Sequence, residues 1–446
     1  MNPLTQFKKI QILPVLIALA LLALASPTVA RANAVTDWNQ IASDTLVAFP
    51  GPAGGAPSAL QLNMGMTQGA VYDALNAIEP RYQPYLLEER FDPGASKEAA
   101  TATAAYRVLS NIVSTVPDSI PFPNKQQLLD TLATEYTNSL DGIPDGPPKD
   151  HGIDAGNAAA AAMIAARQDD GRFTPSPWVP NYEPGHWQPL LDANGRPILD
   201  PTAWVANVRP FLIQSSSQFR TDGPNALTST AYAEDFNEVK LLGSVNSQTR
   251  TPEQTHIALF WGQNAGGPAL IWNRLARSLV GQYAIDLGDS AFLFATMNLS
   301  AADAVINCWN DKYYWDFWRP WAAIQRADED GNPDTEADPT WTALLTAPYP
   351  EHPSGHLSLD GAVVEVLQMF FGDRTAFDVT STRFPGEVLH FDRFSLALRE
   401  IIDARILAGL HFRTADVQGA VLGRKVADYM ARHYFQPLDS DRGRPR

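Results

Sequence analysis

The sequence predicts an all-α fold: a large helical bundle interrupted by long irregular segments rich in proline and tryptophan. Apolar residues recur at three- and four-residue spacing in segment after segment, and clusters of Pro, Gly, Asn and Asp separate those segments. No alternating apolar–polar series marks a sheet, and no fixed-period repeat marks a solenoid.

In chain order, residues 1–32 have the layout of a secretory signal: Lys8 and Lys9, an apolar run from Ile12 to Ala25, then Ala30-Arg31-Ala32 as a cleavage site. The mature chain is expected to be exported, periplasmic or secreted, with no stable membrane span. Helices are expected from Val35 to Val47, Met64 to Ile78, Ala99 to Val116, Lys125 to Leu140 and, after a Pro/Gly/Asp loop at 142–152, Ala155 to Arg167. From Asp169 to about Thr228 periodicity fails among prolines and tryptophans, and the composition is too apolar for disorder, which points to an irregular cover packed over helices. Helices resume at Thr230 to Leu242, at Thr251-Pro252-Glu253-Gln254 running to Trp261, and at Pro268 to Tyr283, Ser290 to Tyr314, Leu357 to Phe371 and Phe394 to Phe412. The organisation is an N-terminal helical part with its cover, 33–229, continuous with a C-terminal helical part, 230–446.

The net charge of −16 becomes −19 once Lys8, Lys9 and Arg31 are removed. Such a surface repels nucleic acid and anionic lipid, so an anion site needs locally concentrated positive charge. Cys308 is the only cysteine, which excludes an internal disulfide and cysteine-rich zinc sites.

Three stretches concentrate charge and chemistry. Trp309, Lys312, Asp316 and Arg319 have the spacing of one helix face, on which Lys312 and Arg319 can converge on one anion while Asp316 steadies either. Pro353-Ser354-Gly355-His356 opens an apolar helix pattern, with Ser354 at the cap and free N–H groups beside it. Taken alone, these four residues also suit an ordinary capped helix with an incidental histidine. Arg405 and His411 flank Gly409, a left-handed helix stop that turns His411 toward Arg405; Thr414 can cap the next helix and Asp416 can fix the His411 tautomer. A structural histidine is the alternative for His411 alone. The acidic run 328–338 has its Gly misplaced for a calcium loop and is read as a turn.

Together, Lys312 with Arg319-Pro320, then Pro353-Ser354-Gly355-His356, then Arg405 with His411 resemble the three-part signature shared by vanadium-dependent haloperoxidases and type 2 phosphatidic acid phosphatases. Ala70-Val71-Tyr72-Asp73-Ala74, Gly185-His186-Trp187-Gln188-Pro189 and Thr251-Pro252-Glu253-Gln254 with Phe260-Trp261 are similar to the bacterial haloperoxidase branch. The resemblance implies the helical bundle of that superfamily. It implies vanadate as cofactor, with Lys312, Arg319, Ser354, Gly355 and Arg405 holding its equatorial oxygens. It also implies His411 as apical metal ligand, His356 as acid–base residue and Trp309, Tyr349 and His352 near a halide pocket. One departure is that Asp416 lies five residues after His411, where the phosphatases place an Asp four after. The expected activity is oxidation of iodide or bromide by hydrogen peroxide, with an organic acceptor as a further partner. An exported acid phosphatase using a phosphohistidine, or a non-catalytic oxyanion binder, are the alternatives.

Overall fold

The structure is a computed structural model that describes residues 33–438; the expected signal segment lies outside them. Helices α1 (Ala34–Val47), α2 (Pro57–Ile78), α3 (Lys97–Ser114), α4 (Lys125–Asp141) and α5 (Pro147–Ala166) precede the irregular cover. After it come α6 (Thr230–Leu242), α7 (Pro252–Gly262), α8 (Gly267–Gln282), α9 (Leu287–Trp315), α10 (Pro320–Gln325), α11 (Gly355–Phe371), α12 (Phe394–Leu407) and α13 (Arg413–His433). The fold is mostly helical, as expected.

Two helices begin earlier than the sequence reading placed them, for one reason. Pro57 and Pro147 occupy first-turn positions, where a missing N–H costs nothing and the fixed φ suits a helix. Pro147 was expected to belong to a loop, and Pro57 was left outside the expected helix. A small antiparallel hairpin was also missed: Phe377–Thr380 pairs with Val388–Phe391, Phe377 opposite Phe391. Its first strand alternates buried and exposed, but four residues are too few to stand out as a period.

α9 is the axis of the bundle. It is long and apolar enough to cross a membrane, yet its apolar window is wholly buried, with α2 and α11 packed along it and α13 packed along α11. One apolar core runs from Val35 to Phe435 and joins the parts before and after residue 229. A second cluster, with Tyr232, Phe236, Trp318, Trp321 and Phe412, lies where α6, α10 and the end of α12 meet.

The expected cover is present: from Asp169 to Thr228 the one helical turn is the short 3-10 segment Ala203–Asn207. Five of its backbone N–H groups are satisfied by side chains of α9. Asp303 accepts from Phe211, Leu212 and Ile213 at 2.6, 2.6 and 2.8 Å, Asn307 from Phe219 at 2.9 Å, and Asp311 from Thr221 at 2.8 Å. These three lie at i, i+4 and i+8, one stripe of the helix. From the other side Asp200 accepts from Trp309 Nε1 at 2.8 Å and Tyr313 Oη at 3.1 Å. An irregular chain packed on a core must find partners for its buried amides, and α9 supplies them.

The acidic run 328–338 is built as a turn. Asp330 accepts from Asn332 N and Thr335 Oγ1, and Asn332 accepts from Asp334 N. No cluster of three or more His, Cys, Asp or Glu that could hold a metal ion occurs among the described residues.

Candidate active site

Lys312 sits in the last turn of α9, fully buried. α9 stops three residues later, with Asp316 in the left-handed region (φ 47°), and Arg319 is the residue before α10. Lys312 and Arg319 therefore do not share a helix face as expected; a tight turn brings them together, and Pro320 starts the next helix. Asp316 steadies neither of them. Its carboxylate pairs with His186 Nδ1 at 2.9 Å, which ties the cover to this turn.

The Lys312 ammonium donates to the carbonyls of Pro350, Glu351 and Pro353 at 2.9, 2.9 and 2.6 Å. It thereby shapes the irregular segment that delivers Ser354, with a cis His352–Pro353 bond along the way. Burial, reinforced by Arg319, lowers its pKa to about 8. Arg319 donates Nε–H to Tyr349 O at 2.9 Å and Nη1–H to Leu410 O at 2.7 Å, while Nη2 is buried without a partner.

Ser354 caps α11 as expected, and His356 lies in the first turn. A methyl on Gly355 would lie 2.7 Å from the Trp309 ring, so only glycine leaves room beside these N–H groups. Arg405 ends α12, buried, with Nε unpartnered. Gly409 has φ 72° and abuts Gly243, which turns the chain sharply into His411.

His411 is fixed from both sides. Its Nδ1 is 2.9 Å from Glu351 Oε1, which also accepts from Phe412 N at 3.0 Å. Its Nε2 is 3.2 Å from Arg319 Nη1, a group that can only donate. Both contacts demand the same tautomer: proton on Nδ1, lone pair on Nε2. Burial and the neighbouring cations push the His411 pKa well below 6.5, so the ring is neutral. Burial raises Glu351 to about 7, against the pull of Arg319 and Lys312.

The tautomer partner of His411 is thus Glu351 and not Asp416, a correction to the sequence reading. Asp416 is buried, and that burial raises its pKa well above 3.8, with the Ser354 hydroxyl and Arg405 opposing. Thr414 is no cap either: Phe412 precedes α13, and Thr414 Oγ1 accepts from Asn225.

Trp309, Tyr349, Gly355, His356, Arg405 and His411 line one cavity of about 310 Å³, which extends outward past Trp261, Leu345 and Leu359. His352 is not among its lining residues. It faces the cover, with Nε2 3.2 Å from Thr221 Oγ1, and burial lowers its pKa to about 3. The sequence reading placed it near a halide pocket; the structure turns it away from this cavity.

Arg319 Nη2, Arg405 Nε and His356 Nε2 are buried polar atoms without hydrogen-bond partners. Unmatched guanidinium donors beside a lone pair and a helix N-terminus are a donor set for a tetrahedral oxyanion, and vanadate or phosphate fits it. One residue that bears on the chemistry was missed from the sequence: Glu351, two positions after Tyr349.

Residues 292–440 match the family of the VCPO second helical-bundle domain. Vanadium chloroperoxidase of Curvularia inaequalis is 24% identical, over 77% of this chain, and the chain spans 66% of that relative's length. A bacterial vanadium-dependent iodoperoxidase superposes with a TM-score of 0.72 at 22% identity, covering 91% of this chain and 97% of that one. A bacterial vanadium-dependent chloroperoxidase in its holo form superposes at 0.65 with 18% identity, covering 87% and 94%.

Proposed function

We propose that this chain, which belongs to the vanadium haloperoxidase family, is an exported enzyme that oxidises iodide or bromide with hydrogen peroxide at a vanadate held in the cavity described above. The observation that supports this most is the lone pair of His411 Nε2, fixed by Glu351 and lying 3.2 Å from Nη1 of Arg319, whose Nη2 is buried and unmatched. A neutral imidazole of that tautomer is a metal ligand. Bound vanadate would supply Lewis acidity toward peroxide without changing oxidation state.

The chain's own residues supply the rest. Arg319, Arg405 and the N–H groups at the start of α11 would bind and orient the oxyanion. Lys312, fixed by three carbonyls, gives the site positive charge. His356 would move protons to and from oxygens in the cavity. Trp309 and Tyr349, with ring centroids 5.1 Å apart, form a wall suited to a polarisable halide. The apolar outer part, near Trp261, Leu345 and Leu359, suits an organic acceptor.

The test uses the metal-free protein with and without orthovanadate. Vanadate is expected to switch on iodide and bromide oxidation, leave chloride oxidation weak or absent, and suppress any phosphate-ester hydrolysis, because both anions compete for one cradle. No halide oxidation together with hydrolysis that vanadate blocks would replace this reading with the phosphohistidine phosphatase, in which His411 attacks phosphorus and His356 protonates the leaving group.

A further inference from the structure

His356 and Asp360 are four residues apart in α11, on one face, and both are buried. His356 Nε2 lies 3.4 Å from Asp360 Oδ2, and neither atom has a hydrogen-bond partner. The other carboxyl oxygen, Oδ1, accepts from Trp272 Nε1 of α8 at 2.7 Å, which fixes the carboxyl plane. Two orphaned polar atoms facing each other in an apolar interior are a hydrogen bond that a few tenths of an ångström would close. With Nε2 turned onto Asp360, Nδ1 is the nitrogen left for the cavity.

We infer that Asp360 is a positioning residue for His356: it selects the ring tautomer and holds the second proton, so that His356 exchanges a proton with the cavity without becoming a cation. This rests on the haloperoxidase reading for its chemistry, though the pairing itself does not. The groups that face the pair are Trp272 from α8, Arg405 from α12 and, beside His356, His411. Arg405 lowers the His356 pKa, as burial does, while Trp272 and Arg405 oppose the burial that raises Asp360 to about 8. An imidazolium is thus disfavoured by its surroundings, whereas a neutral imidazole beside a carboxylic acid is favoured. In that state the Asp360 Oδ2–H donates to Nε2, and the ring carries its own proton on Nδ1. When Nδ1 gives its proton to an oxygen in the cavity, the Oδ2 proton moves to Nε2, and Asp360 becomes a carboxylate stabilised by Trp272 and Arg405. When peroxide gives up a proton, Nδ1 takes it and Nε2 returns its own to Asp360. Protons balance over the cycle and no electron is moved.

The test pairs two measurements on Asp360→Asn and Asp360→Ala. Nitrogen-15 NMR of the metal-free proteins should show His356 protonated at Nδ1 in the parent chain and in Asp360→Asn, whose amide can donate to Nε2, and a tautomer mixture in Asp360→Ala. With vanadate and peroxide, Asp360→Asn should keep vanadate affinity within about threefold and iodide KM unchanged. Its kcat should fall roughly 10–100-fold, with a changed pH profile, because the amide cannot pass a proton. A parent His356 protonated at Nε2, or an Asp360→Asn enzyme with unchanged kcat and pH profile, overturns the inference. A parent chain that oxidises no halide yet shows the Nδ1 tautomer and its loss in Asp360→Ala overturns only the halide reading.

Discussion

His411→Ala is expected to abolish both vanadate binding and iodide oxidation, whereas His356→Ala should lose turnover and keep most of the affinity. The difference follows from where the two rings sit. His411 offers the one lone pair that two independent contacts hold in place, Glu351 on Nδ1 and Arg319 beside Nε2. Without it the arginines still attract an anion, but no protein atom bonds the metal. His356 has its Nε2 turned onto Asp360 and contributes a proton, which a positioned acid–base group converts into roughly 10²–10⁴-fold in rate. Calorimetric titration with orthovanadate, beside steady-state iodide oxidation, separates the two. Retained vanadate affinity in His411→Ala together with its loss in His356→Ala would reverse the assignment.

Glu351→Gln is expected to weaken vanadate binding by roughly 10–100-fold, as loss of a histidine's charged partner does in metal sites. The glutamine carbonyl can still accept from Phe412 N and His411 Nδ1, so the tautomer survives and what goes is negative charge that makes Nε2 a better ligand. The same substitution should stabilise the metal-free fold at pH 8. Glu351 titrates near 7 in the folded chain, against an ordinary 4.5, because burial disfavours its charge. The folded state therefore binds its proton more tightly than the unfolded state does. Stability from this group is complete below pH 4.5 and is lost as pH rises through 7, by an amount on the order of a few kcal/mol. Glutamine has no charge to bury, so calorimetric melting should favour Glu351→Gln at pH 8 and show little difference at pH 4. An equal difference at both pH values would remove the buried-charge explanation.

The helices and their end signals were legible because both are written locally. Ser354 before an apolar period is a cap wherever it occurs, and Gly409 after one is a stop. What the sequence did not disclose was pairing across distance and the face of an extended residue. Glu351 and His352 are adjacent, yet their side chains go to different partners. One reaches His411, sixty positions on, and the other reaches Thr221 in the cover. Composition favours the histidine as the functional neighbour; only the fold shows that the glutamate faces the site. Asp416 was credited with the role of Glu351 because it is near His411 in sequence, and Asp316 with steadying Lys312 because a continuous helix was assumed where Asp316 ends one. Asp360 was available at helical spacing from His356, but a carboxylate in so apolar a helix gives no sign of which neighbour it meets.

The fastening of the cover to α9 constrains how the chain can vary in length. Phe211, Phe219 and Thr221 are bonded to helix positions 303, 307 and 311, and those positions are fixed a turn apart. A residue inserted between Ile213 and Phe219 shifts the later amides off their acceptors, and beyond Thr221 it displaces the wall that His352 rests on. The stretch before Asp200 is fastened at Gly185 to Trp187, which bond the turn at 316–318, and again where Asp200 meets Trp309, with neither turn nor α9 holding the residues between. Length changes among related chains should therefore collect between Trp187 and Asp200 and be scarce between Phe211 and Thr221, although both stretches are equally irregular in conformation.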